Sequence, residues 1–301
     1  MKVFMTGGTG FVGTYLSREL AGQGHEVTIL TRRERPPAPA APGISFITGD
    51  PTQEGPWMGA VPEHDWVINL AGASIFRRWS TGHKREIYDS RIRTTRNLVI
   101  ALAAGDRRQL LCSTSAVGYY GPRGDEILTE DSPQDSYFLA RLAEDWEAEA
   151  LKGQELGIRV VITRFGIVLG RSGGALKQMA PMFRRFLGGP LGSGQQWFSW
   201  IHQADQVRAF NFVQEHPEIH GPVNFTAPQP VRNFELTKAL GRVLHRPTLL
   251  PAPEFMMRLV LGEFADALLT GQRVIPKKLL DAGFRFNFPT IEEALKDLLE
   301  K

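Results

Sequence analysis

The first fifteen residues constrain this chain most. The apolar run Val3-Phe4-Met5 ends in Thr6-Gly7-Gly8-Thr9-Gly10-Phe11-Val12-Gly13, and a helical pattern starts at once. Gly8, Gly10 and Gly13 fit G-x-G-x-x-G, and Gly7, Gly10 and Gly13 fit G-x-x-G-x-x-G. In a strand–turn–helix each glycine has a steric reason. The chain turns sharply, its backbone comes close to a pyrophosphate, and the helix packs tightly on the strand. The helix N-terminus then aims free N–H groups and the positive end of its dipole at the phosphates. The turn predicts a nucleotide site, with Gly7, Gly10, Phe11, Val12 and Gly13 as its contacts.

The second strand indicates which nucleotide. His25-Glu26-Val27-Thr28-Ile29-Leu30-Thr31 is β-branched and apolar, and it ends in Arg32-Arg33. An NAD site carries Asp or Glu here, about twenty residues past the glycines, for the ribose 2′-hydroxyl. Two guanidiniums stand in its place, and arginine pairs with phosphate through a rigid fork of donors. Thr31 and Arg32 are therefore the candidates for the 2′-phosphate of NADP. A Pro/Ala-rich loop at 36–42 follows, expected on the surface near the adenine.

At 301 residues the chain can bury a sizeable core, as one large domain or one domain with a smaller appendage. Its net charge of only +3, with basic and acidic residues interspersed, gives no basic face, so no nucleic-acid partner is expected. Cys112 is the single cysteine; it lies in an apolar run, and with no disulfide possible the chain suits a reducing compartment. The N-terminus opens directly on a strand and no apolar run spans a bilayer, so a cytoplasmic protein without a membrane partner is expected. Asp50, Glu63, His64 and Asp65 have metal-ligand chemistry but no metal-site spacing, and are expected to cap loops; no metal is expected.

Strand-like runs at 44–48, 66–70, 110–114 and 159–163 alternate with helical periodicity at 11–23, 84–104 and 138–156. That rhythm predicts βαβ units and a doubly wound, parallel α/β sheet covered on both faces. Ligands then sit outside the carboxyl ends of the strands, where segments 7–13, 31–33, 70–73, 113–120 and 164–170 converge. From residue 171 the rhythm changes to a glycine-rich irregular region. A strand at 223–226, a helix at 233–244, apolar helices across 253–270 and a closing helix at 291–300 follow. Residues 1–170, with 195–226 returning to them, form the expected nucleotide domain. Residues 171–194 and 227–301 form a small, mostly helical C-terminal lobe. Phe255, Met256, Met257 and Phe264 are expected as the core of that lobe rather than a substrate pocket.

Several segments together resemble the short-chain dehydrogenase/reductase superfamily, in its extended, sugar-nucleotide-epimerase-like branch. They are the glycine turn from Thr6 to Gly13, Asn69-Leu70-Ala71-Gly72 at a strand end, and Trp200-Ile201-His202-Gln203-Ala204-Asp205. Arg78-Trp79-Ser80, Lys84, Ser90-Arg91-Ile92, Gly118-Tyr119-Tyr120-Gly121 and the run from Gln272 to Lys278 are similar to an epimerase-like subfamily once loosely called cell-division inhibitors. The expected function is an NADP-dependent oxidoreductase or epimerase acting on a small polar substrate, a nucleotide sugar among the candidates, or else a non-catalytic NADP(H)-binding protein. The resemblance implies an NADP-binding Rossmann-like domain with a small C-terminal substrate lobe. It names no established substrate.

The superfamily's chemistry uses Ser, Tyr and Lys, with Tyr-x-x-x-Lys on one helix. By resemblance, Ser115 matches the serine and Tyr137 the tyrosine, but Arg141 stands where lysine is expected. A guanidinium is always charged and cannot relay a proton. Three readings stay open: Tyr137 works with Arg141 as a less efficient partner, Tyr119 or Tyr120 acts instead, or the domain binds NADP without catalysing. The acidic residues Glu144, Asp145, Glu147 and Glu149 read as a solvated helix face. Arg91 is a candidate for the cofactor phosphates or an anionic substrate, and Glu86 for orienting it or taking a ribose hydroxyl. Leu70, Ala71 and Gly72 are expected to pass the cofactor by backbone. His202 and Asp205 are expected to join the two lobes. The protein is expected as a monomer or homodimer.

Overall fold

The computed structural model describes residues 1–34, 41–105 and 109–300. Residues 36–40 of the Pro/Ala loop lie outside the described residues. The chain alternates strand and helix through its first half: β1 (Lys2–Thr6), α1 (Phe11–Gly22), β2 (Glu26–Thr31), β3 (Ile44–Thr48), β4 (Trp66–Asn69), α2 (Thr81–Ala103) and β5 (Leu110–Ala116). It continues through β6 (Ile127–Leu128), α3 (Phe138–Glu155), β7 (Arg159–Phe165), β8 (Ile167–Gly170), α4 (Gly174–Arg184), β9 (Trp197–Phe198), β10 (Trp200–His202), α5 (Gln203–Glu215) and β11 (Gly221–Phe225). The last part holds β12 (Val231–Arg232), α6 (Asn233–Leu244), α7 (Glu254–Leu261), α8 (Phe264–Leu269), β13 (Arg273–Val274), α9 (Lys277–Asp281) and α10 (Ile291–Leu299).

Seven strands form one parallel sheet in the order β11-β7-β5-β4-β1-β2-β3. The order reverses at β1, the switch point of a doubly wound sheet, so its crevice opens above the glycine turn. The central strands are apolar on both faces because helices cover both. One face packs Leu16 and Leu20 of α1 with Phe210 and Val213 of α5. The other packs Leu98 and Leu102 of α2 with Ala150 of α3. The α/β fold expected from the alternating rhythm is the one observed.

A further apolar cluster joins Leu176 and Phe183 of α4, Leu236 and Leu240 of α6, and Ile291 and Leu295 of α10 around Trp200. Short strands tie the C-terminal part to the sheet's upper edge: β10 runs beside β8, β12 beside β9, and β13 beside β6. The run from Gln272 to Lys278 is such a tie. Ser199 Oγ donates to the Gln272 carbonyl and accepts from Val274 N, and Asn224 Nδ2 donates to the Ile275 carbonyl. His202 and Asp205 tie the start of α5 to residues 287–288. His202 caps α5 and stacks on Phe288, while Asp205 accepts from the Asn287 and Phe288 N–H groups.

Two expectations need correcting. Phe255 and Met256 are neither core nor pocket: they are 71% and 50% exposed, whereas Met257 and Phe264 are buried. A helix at α5 was not expected. Its inward face carries the buried polar Gln203, Asp205 and Gln206 beside Val207 and Phe210, which blunts the apolar period. Cys112 is fully buried, its thiol pushed up to about 12 by burial.

Candidate functional site

The glycine turn has the geometry its sequence demands. Gly7 has φ +68°, and a Cβ there would lie 2.6 Å from the Leu70 carbonyl carbon. A Cβ at Gly13 would lie 2.4 Å from the Gly7 oxygen, so α1 can approach β1 only with glycine. Gly10 differs, because the nearest atom its Cβ would meet is the Gly7 oxygen at 3.2 Å. That contact is closer than ordinary van der Waals distance but milder than those at Gly7 and Gly13, so a side chain at Gly10 needs only a small shift of the turn. α1 begins there with no side-chain cap and no acidic residue in its first turn, leaving the N–H groups of Phe11, Val12 and Gly13 facing the crevice.

A cleft of about 510 Å³ opens above this turn. Its walls bring together Gly7, Gly10, Phe11, Val12 and Gly13 with Leu70, Ala71 and Gly72 from the end of β4, Arg91 from α2, Ser115 from β5 and Tyr137 at the start of α3. The cleft does not include Glu86, whose carboxylate pairs with Arg77 and His83 in the solvated first turns of α2. Thr31 and Arg32 stand at the end of β2, outside the cleft. Thr31 is buried and accepts from Arg33 N, and Arg32 is exposed, with no ion pair among the described residues.

Arg91 lies along the cleft wall. Its Nη1 donates to the Ala73 and Ile87 carbonyls at 3.1 and 3.0 Å, and its guanidinium sits 5.1 Å from the Trp146 ring. A Cβ on Gly72 would lie 2.9 Å from its Cζ, so Gly72 makes room for it. Burial pulls its pKa down to about 10, which keeps it charged at neutral pH. No carboxylate pairs with it among the described residues.

Below the cleft runs a buried polar network. Ser115 Oγ donates to Glu147 Oε1 at 2.6 Å. Arg164 at the end of β7 grips Glu147 with two bonds of 2.8 and 2.7 Å. Arg164 also donates to the Tyr120 hydroxyl, which donates to Asn224, and lies 3.6 Å from the Tyr119 ring centroid. Neither Tyr119 nor Tyr120 lines the cleft, so the alternative proton donors are part of this network instead. The expectation of a solvated acidic face on α3 fails for Glu147 and Glu149, which are 5% and 8% exposed, and holds for Glu144 and Asp145. A second buried chain holds the strand ends together: Thr6 donates to Asn69, and Asn69 to Thr95 and Ser113.

Tyr137 caps the N-terminal end of α3 and is oriented by Asp135, which accepts from the Ser136 and Tyr137 N–H groups. A Cβ on Gly118 would lie 3.3 Å from its hydroxyl. Burial first, and the Asp135 charge second, raise its phenol above the ordinary tyrosine value. Arg141 does not serve it: the side chain is exposed, lies outside the cleft and forms no ion pair among the described residues. The expected Tyr137–Arg141 pair is thus not formed. From the C-terminal part, Phe264, Ala267 and Leu268 of α8 wall the cleft. Trp79 joins that wall to α3, with ring centroids 5.4 Å from Phe138 and 5.9 Å from Phe264, and Lys84 pairs with Glu263.

This cleft at the carboxyl edge of a doubly wound sheet agrees with what comparison with known proteins finds. The pattern of the NAD dependent epimerase/dehydratase family matches residues 3–224. The chain belongs to that family. Residues 252–298 of this epimerase-family protein match a domain of unknown function, DUF1731. Over its whole length the protein is 41% identical to the chloroplastic SDR39U1 homolog of Arabidopsis thaliana, covering 87% of that relative. It is 40% identical to the epimerase family protein YfhF of Bacillus subtilis, covering 99% of this chain and 98% of that one. The crystal structure of the human epimerase family protein SDR39U1 with NADPH superposes with a TM-score of 0.88 at 35% identity, each chain covered completely. Among the described residues no helix is long and apolar enough to cross a membrane, and no group of three His, Cys, Asp or Glu is placed to hold a metal.

Proposed function

We propose that this protein binds NADP(H) in the cleft and is an oxidoreductase that reduces the carbonyl group of a small molecule held beside Ser115 and Tyr137. The observation that carries this reading is one cleft lined by the glycine turn, Arg91, Ser115 and Tyr137. The cleft-lining Gly10, the uncapped start of α1 and Arg91 without a carboxylate partner among the described residues fit a dinucleotide diphosphate. The human relative solved with NADPH supports the same cofactor. In this reading Arg32, with Thr31 beneath it, takes the 2′-phosphate, and Leu70, Ala71 and Gly72 pass the cofactor by backbone. Glu86 has no part in it. Residues 1–170 and 195–226 form the cofactor domain, and residues 171–194 and 227–301 close over the substrate.

When bound, the nicotinamide supplies the hydride that reduces the carbonyl carbon. Tyr137 gives the proton to the carbonyl oxygen. Its raised pKa and the lack of a nearby cation keep the phenol protonated, which suits a donor rather than a base. That favours reduction over epimerisation, whose first step needs tyrosinate. Ser115, its own proton committed to Glu147, accepts from the hydroxyl that reduction forms.

One observation favours a second reading. Arg141 points to solvent, so Tyr137 lacks the cation that the superfamily's chemistry pairs with its tyrosine, as it would in a non-catalytic NADP(H) sensor. The absorbance of reduced nicotinamide, followed while carbonyl compounds are added, separates the two. Net consumption of NADPH that requires the Tyr137 hydroxyl supports the reductase. NADPH bound but never consumed across a broad carbonyl panel rules for the sensor.

A further inference from the structure

Among the described residues that line the cleft, Arg91 carries the only charge. No Asp, Glu, Asn, His or Lys side chain faces it there. Arg91 is on the β4 side, against Gly72 and Ala73, next to the strand end that the cofactor is proposed to follow. Ser74, Thr114, Thr270 and Gln272 add uncharged polar groups, and the rest of the wall is apolar: Val117, Leu139 and Ile75, with Phe76, Phe264 and Leu268. The last three reach the cleft from opposite sides, the Phe76 and Phe264 rings meeting edge to face at 5.8 Å.

A nucleotide sugar would bring a doubly charged diphosphate and a ring of hydroxyls into this space. Each group would give up its water, and beyond Arg91 the wall offers the diphosphate no charge and the hydroxyls only a few uncharged partners in return. Discrimination of this kind is strong, because a polar ligand group left unpaired costs far more than a misfit methylene. An apolar body instead gains from leaving water against Leu139, Phe264 and Leu268.

We propose that the substrate of this site is an uncharged, largely apolar carbonyl compound, with its oxygen toward Tyr137 and its body between Phe76, Leu139, Phe264 and Leu268. The proposal rests on the cofactor reading of the same cleft, with Arg91 directed to the cofactor.

Two calorimetric titrations test it in sequence. The first measures NADP⁺ binding to the whole chain. The second adds either 2-acetylnaphthalene, an uncharged aryl ketone, or UDP-glucose to the NADP⁺ complex. The expected result is ketone binding at least about ten-fold tighter than UDP-glucose binding. Leu268→Asp, at a half-exposed position on the wall, is expected to weaken the ketone at least about ten-fold and leave NADP⁺ affinity unchanged. A complex that takes NADP⁺ but prefers UDP-glucose, or binds neither, overturns the substrate class and leaves the cofactor reading standing. Ketone affinity untouched by Leu268→Asp overturns it too, since the ketone then sits elsewhere. A chain that takes no NADP⁺ overturns both readings. The wild-type comparison needs no variant to fold.

Discussion

Ser115 and Glu147 share one proton path: the serine hydroxyl on β5 donates to a carboxylate buried on α3, 2.6 Å away. Glu147 is held in turn by both arms of the Arg164 guanidinium. The proton Ser115 would use to polarise a carbonyl is therefore engaged, and what it offers the cleft is lone pairs. Proton donation falls to Tyr137.

The Glu147–Arg164 pair is buried on both sides, 6% and 3% exposed at the side chains. Removing one partner leaves an uncompensated buried charge. Glu147→Leu is expected to cost about 3–5 kcal/mol of stability in urea unfolding. Glu147→Leu with Arg164→Met removes both charges and is expected to recover part of that loss. A single variant within about 0.5 kcal/mol of wild type would contradict the network's role.

Tyr137 and Tyr120 should separate by readout. Tyr137→Phe is expected to lower kcat by roughly 10²–10⁴ on a working ketone, with NADPH affinity nearly unchanged. Tyr120→Phe removes a hydroxyl bonded to both Arg164 and Asn224 and is expected to cost about 1–3 kcal/mol of stability instead. Arg141→Ala is expected to leave kcat within about two-fold, as for an exposed unpaired side chain. Steady-state kinetics and melting curves on the three variants decide.

The strands and the glycine turn were legible because their signals are local: a period, a β-branched run, a glycine spacing. The rule that strand ends converge pointed Ser115 to the cleft, whereas Tyr137 and Arg91, at the start of α3 and within α2, were candidates by resemblance to the superfamily. Glu147 was not legible. Beside Glu144, Asp145 and Glu149 it reads as a solvated face, and its partner lies seventeen residues on, in another element. Arg141 misled in the opposite way, since one helical turn from Tyr137 puts it on the same helix but not on the cleft side. The wall from α8 was misjudged rather than missed: Phe264 was assigned to the lobe's core over a pocket, and it lines the cleft because the chain folds back over it.

Stability is expected to fall in mild acid. Burial is the first cause that lowers the pKa of His25, His64 and His202 below 6.5. Just below 6.5 the unfolded chain therefore takes up protons that the folded chain refuses. Stability is intact above that value and declines as pH falls through the window beneath it. Glu130, raised above 4.5 chiefly by burial, works against this trend as one group against three. Melting temperature is expected to drop between about pH 7.5 and pH 5.5. An equal or higher value at the lower pH would contradict it.

Gly10→Val tests whether the turn serves a ligand. The added Cβ presses only on the Gly7 carbonyl oxygen, at 3.2 Å, so the chain is expected to fold with a modestly lowered melting temperature. NADPH affinity is expected to fall at least about a hundred-fold, because the branch occupies the approach to the diphosphate. Unchanged NADPH affinity would make the glycines only a turn.

The central claim is a cleft for NADP(H), and calorimetric titration of the wild-type protein and Arg32→Ala with NADPH and NADH tests it most directly. The account predicts NADPH binding tighter than NADH in the wild type. It predicts a loss of about 10- to 100-fold for NADPH in Arg32→Ala, about 1.5–3 kcal/mol, with NADH affinity hardly moved. Equal affinity for the two cofactors in the wild type, or no binding of either, would contradict it.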